Sequence, residues 1–366
     1  MKKIISLLLV IALCIPVVLG ACGEEAPTPA PSPAPKPMKQ IVHKMAQYMV
    51  PTHPCSMIPK IAFDAVEELT NGRVKVETYC SSELCSANET LSFVQEGRIE
   101  AGYFYPGYIS KTLPLFDAWS LPMMFDDYWT AVLALQMLTP LLQNELNDKG
   151  YNVLALAWGH EGTNMVYNRD KVVRVPSDIK GMVLRSHSDV SNEGVKLCGA
   201  SPAMIDTAEG YEALARGLID GGWFASPHPV ALKWYEVLHN CLLMPIYRNY
   251  CGIIWNRDAW NELPDDCKAI VKQQAEFYRM NRAFYMAAEE PREMTWLGSP
   301  EGGGITYTQP TESEVELWRT TLDPVKDIWL AKAGPRGPEA LRIMEEAKEV
   351  ADESYAVIEE VRAKYR

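Results

Sequence analysis

The side chains best suited to chemistry are scattered. Six histidines, His43, His53, His160, His187, His228 and His239, stand without the spacing of metal ligands. His160 and Glu161 come nearest to an acid/base pair, but neighbours on a strand point to opposite faces, so neither orients the other. There is no G-x-S-x-G elbow, no phosphate loop, no H-E-x-x-H and no dinucleotide fingerprint. Apart from Cys14 and Cys22 the cysteines are Cys55, Cys80, Cys85, Cys198, Cys241, Cys251 and Cys267, an odd set that cannot all pair internally. Cys80 with Cys85, or Cys241 with Cys251, could close short loops in an exported protein, and buried free thiols fit equally well. Four residues between Cys80 and Cys85 space them too widely for a zinc or iron-cluster pair. Catalysis, a metal and a cofactor are therefore not expected. Arg185 closes an expected strand, and a guanidinium offers a carboxylate two parallel N–H donors that Lys cannot reproduce. An isolated arginine also serves as a surface ion-pair partner.

The elements that would position Arg185 alternate. Ile41 to Tyr48, Val74 to Tyr79, Ile99 to Tyr105 and Asn152 to Trp158 read as strands. Between them Met57 to Thr70, Glu89 to Gln95 and Trp129 to Leu146 carry apolar residues at helical spacing. The order then repeats. Strands Met165 to Asn168, Met182 to Ser186, Ser201 to Ile205 and Leu218 to Phe224 are separated by a turn opened by Ser177, a helix over Asp189 to Leu197 and a helix starting at Thr207. Asp206 and Glu209 have capping-box spacing ahead of that last helix. A helix over Pro227 to Val237, strands near Leu242 to Tyr247 and Gly252 to Asn256, and a long helix from Asp265 to about Trp296 follow. This alternation implies mainly parallel sheets with helices on both faces, in two lobes, with the ligand site in the cleft outside the carboxyl ends of the strands.

The N-terminus says where such a body would act. Lys2 and Lys3 precede an apolar stretch from Ile4 to Leu19, and Leu19-Gly20-Ala21-Cys22 follows the pattern of a bacterial lipoprotein signal in which Cys22 becomes the acylated first residue. Pro27, Pro29, Pro31, Pro33, Pro35 and Pro37 then alternate with small residues and hold an extended, coreless tether. The rest of the 366 residues is 48% hydrophobic and 22% charged over the whole chain, an ordinary globular composition without a further run long enough to span a bilayer. With 35 basic against 47 acidic residues and a net charge of -12, nucleic acid is not an expected partner.

Short motifs in a fixed order carry a more specific signal. Thr70-Asn71-Gly72-Arg73-Val74, Glu96-Gly97-Arg98-Ile99-Glu100 and Leu121-Pro122-Met123-Met124-Phe125 mark the first lobe. Trp158-Gly159, Pro176-Ser177-Asp178-Ile179-Lys180-Gly181-Met182-Val183-Leu184-Arg185 and Leu197-Cys198-Gly199-Ala200-Ser201-Pro202 follow, then the run from Glu212 to Gly221 and Trp260-Asn261-Glu262-Leu263-Pro264. Together, from about residue 40 to the C-terminus, they resemble the DctP-type solute receptors of tripartite ATP-independent periplasmic (TRAP) transporters. The resemblance implies a two-lobed, periplasmic-binding-protein-like α/β fold that closes on a small organic acid and delivers it to an ion-driven membrane carrier. It divides the chain into a signal peptide (1–21), a lipid-anchored linker (22–38), lobe I (39–157 with about 246–264), lobe II (158–245 with about 297–335), a lobe-spanning helix (265–296) and a C-terminal helix (336–366).

The resemblance also assigns Arg185 to the ligand carboxylate. Trp158, Trp223 and Phe224 from the second lobe, with Tyr105 and Tyr108 from the first, are the candidate walls, and His53 and Asn249 are candidate polar caps. Two departures bear on the ligand. Where many members place an Asn soon after Asp-Gly, the run reads Asp220-Gly221-Gly222-Trp223-Phe224, and His160-Glu161-Gly162-Thr163-Asn164 shows no second arginine after Trp-Gly. One cationic anchor among aromatic faces favours a monocarboxylate with an apolar or aromatic body, or a 2-oxo acid. His187, just past the anchor, could hydrogen-bond the ligand or be an ordinary surface histidine. A receptor read by a membrane sensor and a binding protein of an ATP-driven transporter are the alternatives.

Overall fold

The protein is described by a computed structural model over residues 39–364. The signal sequence, Cys22 and the proline-rich tether lie outside the described residues. Nine strands are present there: β1 (Ile41–Ala46), β2 (Val74–Tyr79), β3 (Ala101–Phe104), β4 (Val153–Asn168), β5 (Val183–Ser186), β6 (Ser201–Met204), β7 (Gly221–Ala225), β8 (Asn240–Asn256) and β9 (Thr306–Thr308). They form one sheet in the order β2-β1-β3-β8-β4-β7-β5-β6, with β9 on β8. At either end the strand–helix alternation gives parallel pairs, β1 with β2 and β3, and β5 with β6 and β7. The middle is antiparallel, β8 against β3 and β4, and β4 against β7.

The mixed, two-lobed α/β arrangement is as expected, and two strands that the sequence pattern divides turn out to be continuous. Asn152 to Trp158 and Met165 to Asn168 belong to one strand of 16 residues, and Leu242 to Tyr247 and Gly252 to Asn256 to one of 17. Each long strand serves both lobes. Gly252–Trp255 of β8 pairs with β3, whereas Asn240–Leu242 pairs with β9, and Asn164–Asn168 of β4 pairs with β7. Gly159 and Gly162 look like a break in the sequence, yet β4 passes through them on register shifts at Ala155/Ala157, His160/Gly162 and Asn164/Val166. Glycine is needed where rings cross the strands: a Cβ on Gly252 would stand 2.0 Å from the Trp158 ring, and one on Gly159 2.6 Å from Tyr278.

The helices are α1 (Pro54–Leu69), α2 (Thr90–Gln95), α3 (Tyr128–Asp148), α4 (Asp189–Leu197), α5 (Gly210–Ala215), α6 (His228–Ala231), α7 (Arg257–Glu262), α8 (Asp265–Leu297), α9 (Glu312–Leu322), α10 (Pro324–Ala333) and α11 (Gly337–Lys364). Helix α8 ties the lobes together. Its Cys267, Val271, Ala275 and Tyr278 pack in the core with Phe63 and Trp255, while Leu297 at its far end packs with Trp234 and Ile305. The helix expected over Pro227 to Val237 is shorter. After α6, Lys233 takes a left-handed φ of 59° and a single 3-10 turn, Trp234–Glu236, tucks Trp234 against Phe224 and His228. The helix expected from Thr207 likewise opens with a 3-10 turn, Thr207–Glu209, capped by Asp206, whose carboxylate accepts from the Ala208 N–H at 3.1 Å. All seven cysteines among the described residues are free thiols, six of them buried.

Candidate functional site

The carboxyl ends of the parallel strands converge on the middle of β4 and β8. Tyr48 follows β1, Tyr105 and Tyr108 follow β3, Arg185 sits near the end of β5 with His187 beyond it, and Thr207 follows β6. Ala225 ends β7 and His228 begins α6. Together with Glu161 and Asn164 of β4 and Asn249 of β8 these residues line a small, tightly walled cavity. All of them except Tyr108 are buried.

Arg185 is 3% exposed, and its hydrogen-bond partners are all uncharged. Its Nε donates to the Ile205 carbonyl at 2.8 Å, and its Nη2 to Thr207 Oγ1 at 2.8 Å and to Tyr108 Oη at 3.3 Å. Tyr108 Oη also meets Thr207 Oγ1 at 2.9 Å. Nη1 has no partner among the described residues. A buried guanidinium with a free edge and no counter-charge in contact costs free energy until an anion completes it.

The opposite wall is rich in acceptors. Glu161 Oε2 accepts from Asn249 Nδ2 at 3.1 Å, and Glu161 Oε1 lies 3.9 Å from His228 Nε2. Burial pushes the Glu161 carboxyl up to about 7, against the pull of Arg282 and Arg185. His228 is forced down to about 3 by burial and by the nearby Arg185, and burial also holds His187 and His53 well below the usual imidazole range, so all three are neutral at pH 7. His187 is 3% exposed, not a surface histidine, and its Nε2 is 2.6 Å from Tyr247 Oη. Asn164 is fully buried with neither its Oδ1 nor its Nδ2 partnered. Such an amide is costly unless a ligand satisfies it.

Of the residues singled out in the sequence, Arg185, Tyr105, Tyr108 and Asn249 reach the cavity. Three aromatic candidates do not. Trp158 packs against Phe104, Phe116 and Tyr250, Trp223 against Tyr247, and Phe224 against Trp234 and Tyr167, each at most 1% exposed and in the core. On β7 it is the small Ala225 that faces the cavity. His53 lies one layer back. Its Nδ1 caps α1 by accepting from the Cys55 N–H at 3.1 Å, and its ring centroid is 5.3 Å from that of His228. Glu161, Asn164, His228, Thr207 and Tyr48 went unassigned. A strict alternation would put Glu161 and Asn164, three residues apart, on opposite faces, and the register shift at His160/Gly162 brings them to one. His160 faces the other way, edge-on to Tyr128 with ring centroids 4.7 Å apart, so the adjacent pair does not act together.

The profile of the bacterial extracellular solute-binding protein family 7, DctP, matches residues 60–332. The C4-dicarboxylate-binding periplasmic protein DctP of Rhodobacter capsulatus is 26% identical over 306 residues, 80% of this chain and 88% of that protein. The 2,3-diketo-L-gulonate-binding periplasmic protein YiaO of Escherichia coli is 28% identical over 293 residues, 78% of this chain and 85% of its own length. In fold, the chain superposes on DctP6 of Bordetella pertussis, an extracytoplasmic solute receptor binding pyroglutamic acid, with a TM-score of 0.78 at 19% identity, covering 83% of this chain and 99% of that one. With most of the chain under the family profile and the two-lobed fold intact, the chain belongs to the DctP family and is an extracytoplasmic solute receptor of the TRAP type, not an enzyme.

Proposed function

We propose that this receptor captures a small organic acid with one carboxylate in the cavity between its lobes, with Arg185 as the anchor, and hands it to an ion-driven membrane carrier. The observation that carries this reading is the buried Arg185 guanidinium, braced by neutral partners and left with Nη1 open. The relatives named above bind a C4-dicarboxylate, a diketogulonate and pyroglutamate, all carboxylates. With Trp158, Trp223 and Phe224 in the core, the aromatic faces left to the ligand are those of Tyr48, Tyr105 and Tyr108. A single strong cation favours a monocarboxylate over a dicarboxylate, whose second charge would meet Glu161.

Melting the purified protein against mono- and dicarboxylates, amino acids and sugars tests this. A ligand at a hundred times its Kd stabilises the fold by ~2.7 kcal/mol, a shift of a few degrees. Arg185→Lys and Arg185→Ala are expected to melt normally without ligand and to lose that shift. A ligand-induced shift kept by either variant overturns the anchor. Lipid attachment at Cys22 and the proline tether would hold the receptor near its carrier and raise its local concentration. Cys22→Ala should then move the protein from the membrane to the soluble fraction.

A further inference from the structure

Two acceptors stand side by side on the cavity wall across from Arg185, and together they describe the ligand's second group. We infer that the bound acid carries an ammonium beside its carboxylate, so that the ligand is a small 2-amino acid held as a zwitterion between Arg185 and Glu161. This inference rests on the carboxylate reading of Arg185 and deepens it.

Two acceptors point to it. His228 Nδ1 lies 3.1 Å from the Ala225 carbonyl, which can only accept, so Nδ1 carries the proton of the neutral ring and Nε2 presents a bare lone pair. Glu161 Oε1 stands 3.9 Å from that lone pair, and only the other carboxylate oxygen is bonded to Asn249. One nitrogen at about 2.8–3.0 Å from each can donate to both, which a hydroxyl with one proton cannot do. Asn164 is buried with both its amide oxygen and its amide nitrogen unpartnered, so it can answer either a donor or an acceptor on the ligand. A 2-oxo or unsubstituted acid would leave the His228 and Glu161 acceptors unanswered. Glu161 and Arg185 share the cavity without bonding to each other, and a ligand ammonium beside Glu161 would draw its carboxyl to the ionised form, so that a zwitterion gives each a partner of opposite sign.

The test is titration calorimetry with four acids on one three-carbon skeleton, alanine, lactate, pyruvate and propionate, and with the matching four-carbon set, on the wild type, Glu161→Gln and Arg185→Lys. Charge-assisted hydrogen bonds of ~1.5–3 kcal/mol predict that the amino acid binds about 10- to 100-fold more tightly than its 2-oxo and unsubstituted counterparts. Glu161→Gln should erase that preference while changing affinity for the other acids little. Equal or tighter binding of the 2-oxo or unsubstituted acid overturns the inference, as does a hydroxy acid matching the amino acid, or a preference that survives Glu161→Gln. The wild-type ranking decides even where the variant fails to fold. If the remaining acids still bind and Arg185→Lys abolishes their binding, the ammonium alone is refuted. Binding indifferent to Arg185→Lys, or no binding by any of the acids, overturns the carboxylate reading together with it.

Discussion

Arg185 is useful because of what holds it. With Nε committed to the Ile205 carbonyl and Nη2 to Thr207 and Tyr108, the guanidinium cannot swing, and its remaining edge is presented to the cavity before any ligand arrives. Thr207→Val removes the strongest of these side-chain braces with little change of shape. This bond is already made without ligand, so losing it costs the fold ~1.5–3 kcal/mol and should lower the melting temperature by a few degrees, while the loosened guanidinium lowers ligand affinity by calorimetry. Arg185, the proposed anchor, could be singled out because a motif of ten residues ends on it. The polar wall could not. Glu161 and Asn164 sit on a strand whose facing changes at a register shift, and no residue type marks where a shift falls. Trp223 and Phe224 misled for the same reason, since an aromatic pair on a strand buried on both faces does not say which face holds the ligand.

At the scale of elements, the two long strands and α8 make the junction between the lobes, and buried acids line it. Glu290 of α8 accepts from Thr163 Oγ1 of β4 at 3.3 Å, while its other oxygen is buried without a partner. Burial, with Glu293 nearby, raises its carboxyl to about 8. An acid raised from the ordinary value holds its proton more tightly in the folded than in the unfolded protein, so stability falls as pH climbs from about 4.5 through 8. Glu290→Gln keeps the shape and removes the titration. Its melting temperature should exceed that of the wild type at pH 8.5 by several degrees, with the gap closing toward pH 5, and an equal gap at both values would refute the burial account. Periodicity made most helices and short strands readable, α1, α3, α4 and α8 within a few residues. Continuity of β4 and β8 was hidden by glycines whose purpose is tertiary, to let Trp158 and Tyr278 lie across the strands.

For the whole molecule, hydrogen bonds run directly from one lobe to the other across the cavity. Tyr108 Oη, after β3, reaches Thr207 and Arg185. Ser110 Oγ accepts from the Asp189 N–H at 3.0 Å, and Asp117 from the Val190 N–H at 2.8 Å, so the first turn of α4 is held by side chains of the other lobe. Continuous strands at the junction allow bending without unpacking either core, and the free energy that favours closure is shared between these few bonds and the ligand. Tyr108→Phe deletes the one hydroxyl that touches both Thr207 and Arg185. Without ligand, the variant should scatter X-rays with a larger radius of gyration than the wild type, because fewer bonds oppose opening. Saturating ligand should return it to the wild-type radius, at an affinity lowered by the fraction of closed molecules that the missing bonds no longer sustain. An unchanged radius together with a lowered affinity would make Tyr108 a ligand contact only, and the latch would then have to lie in Ser110 and Asp117.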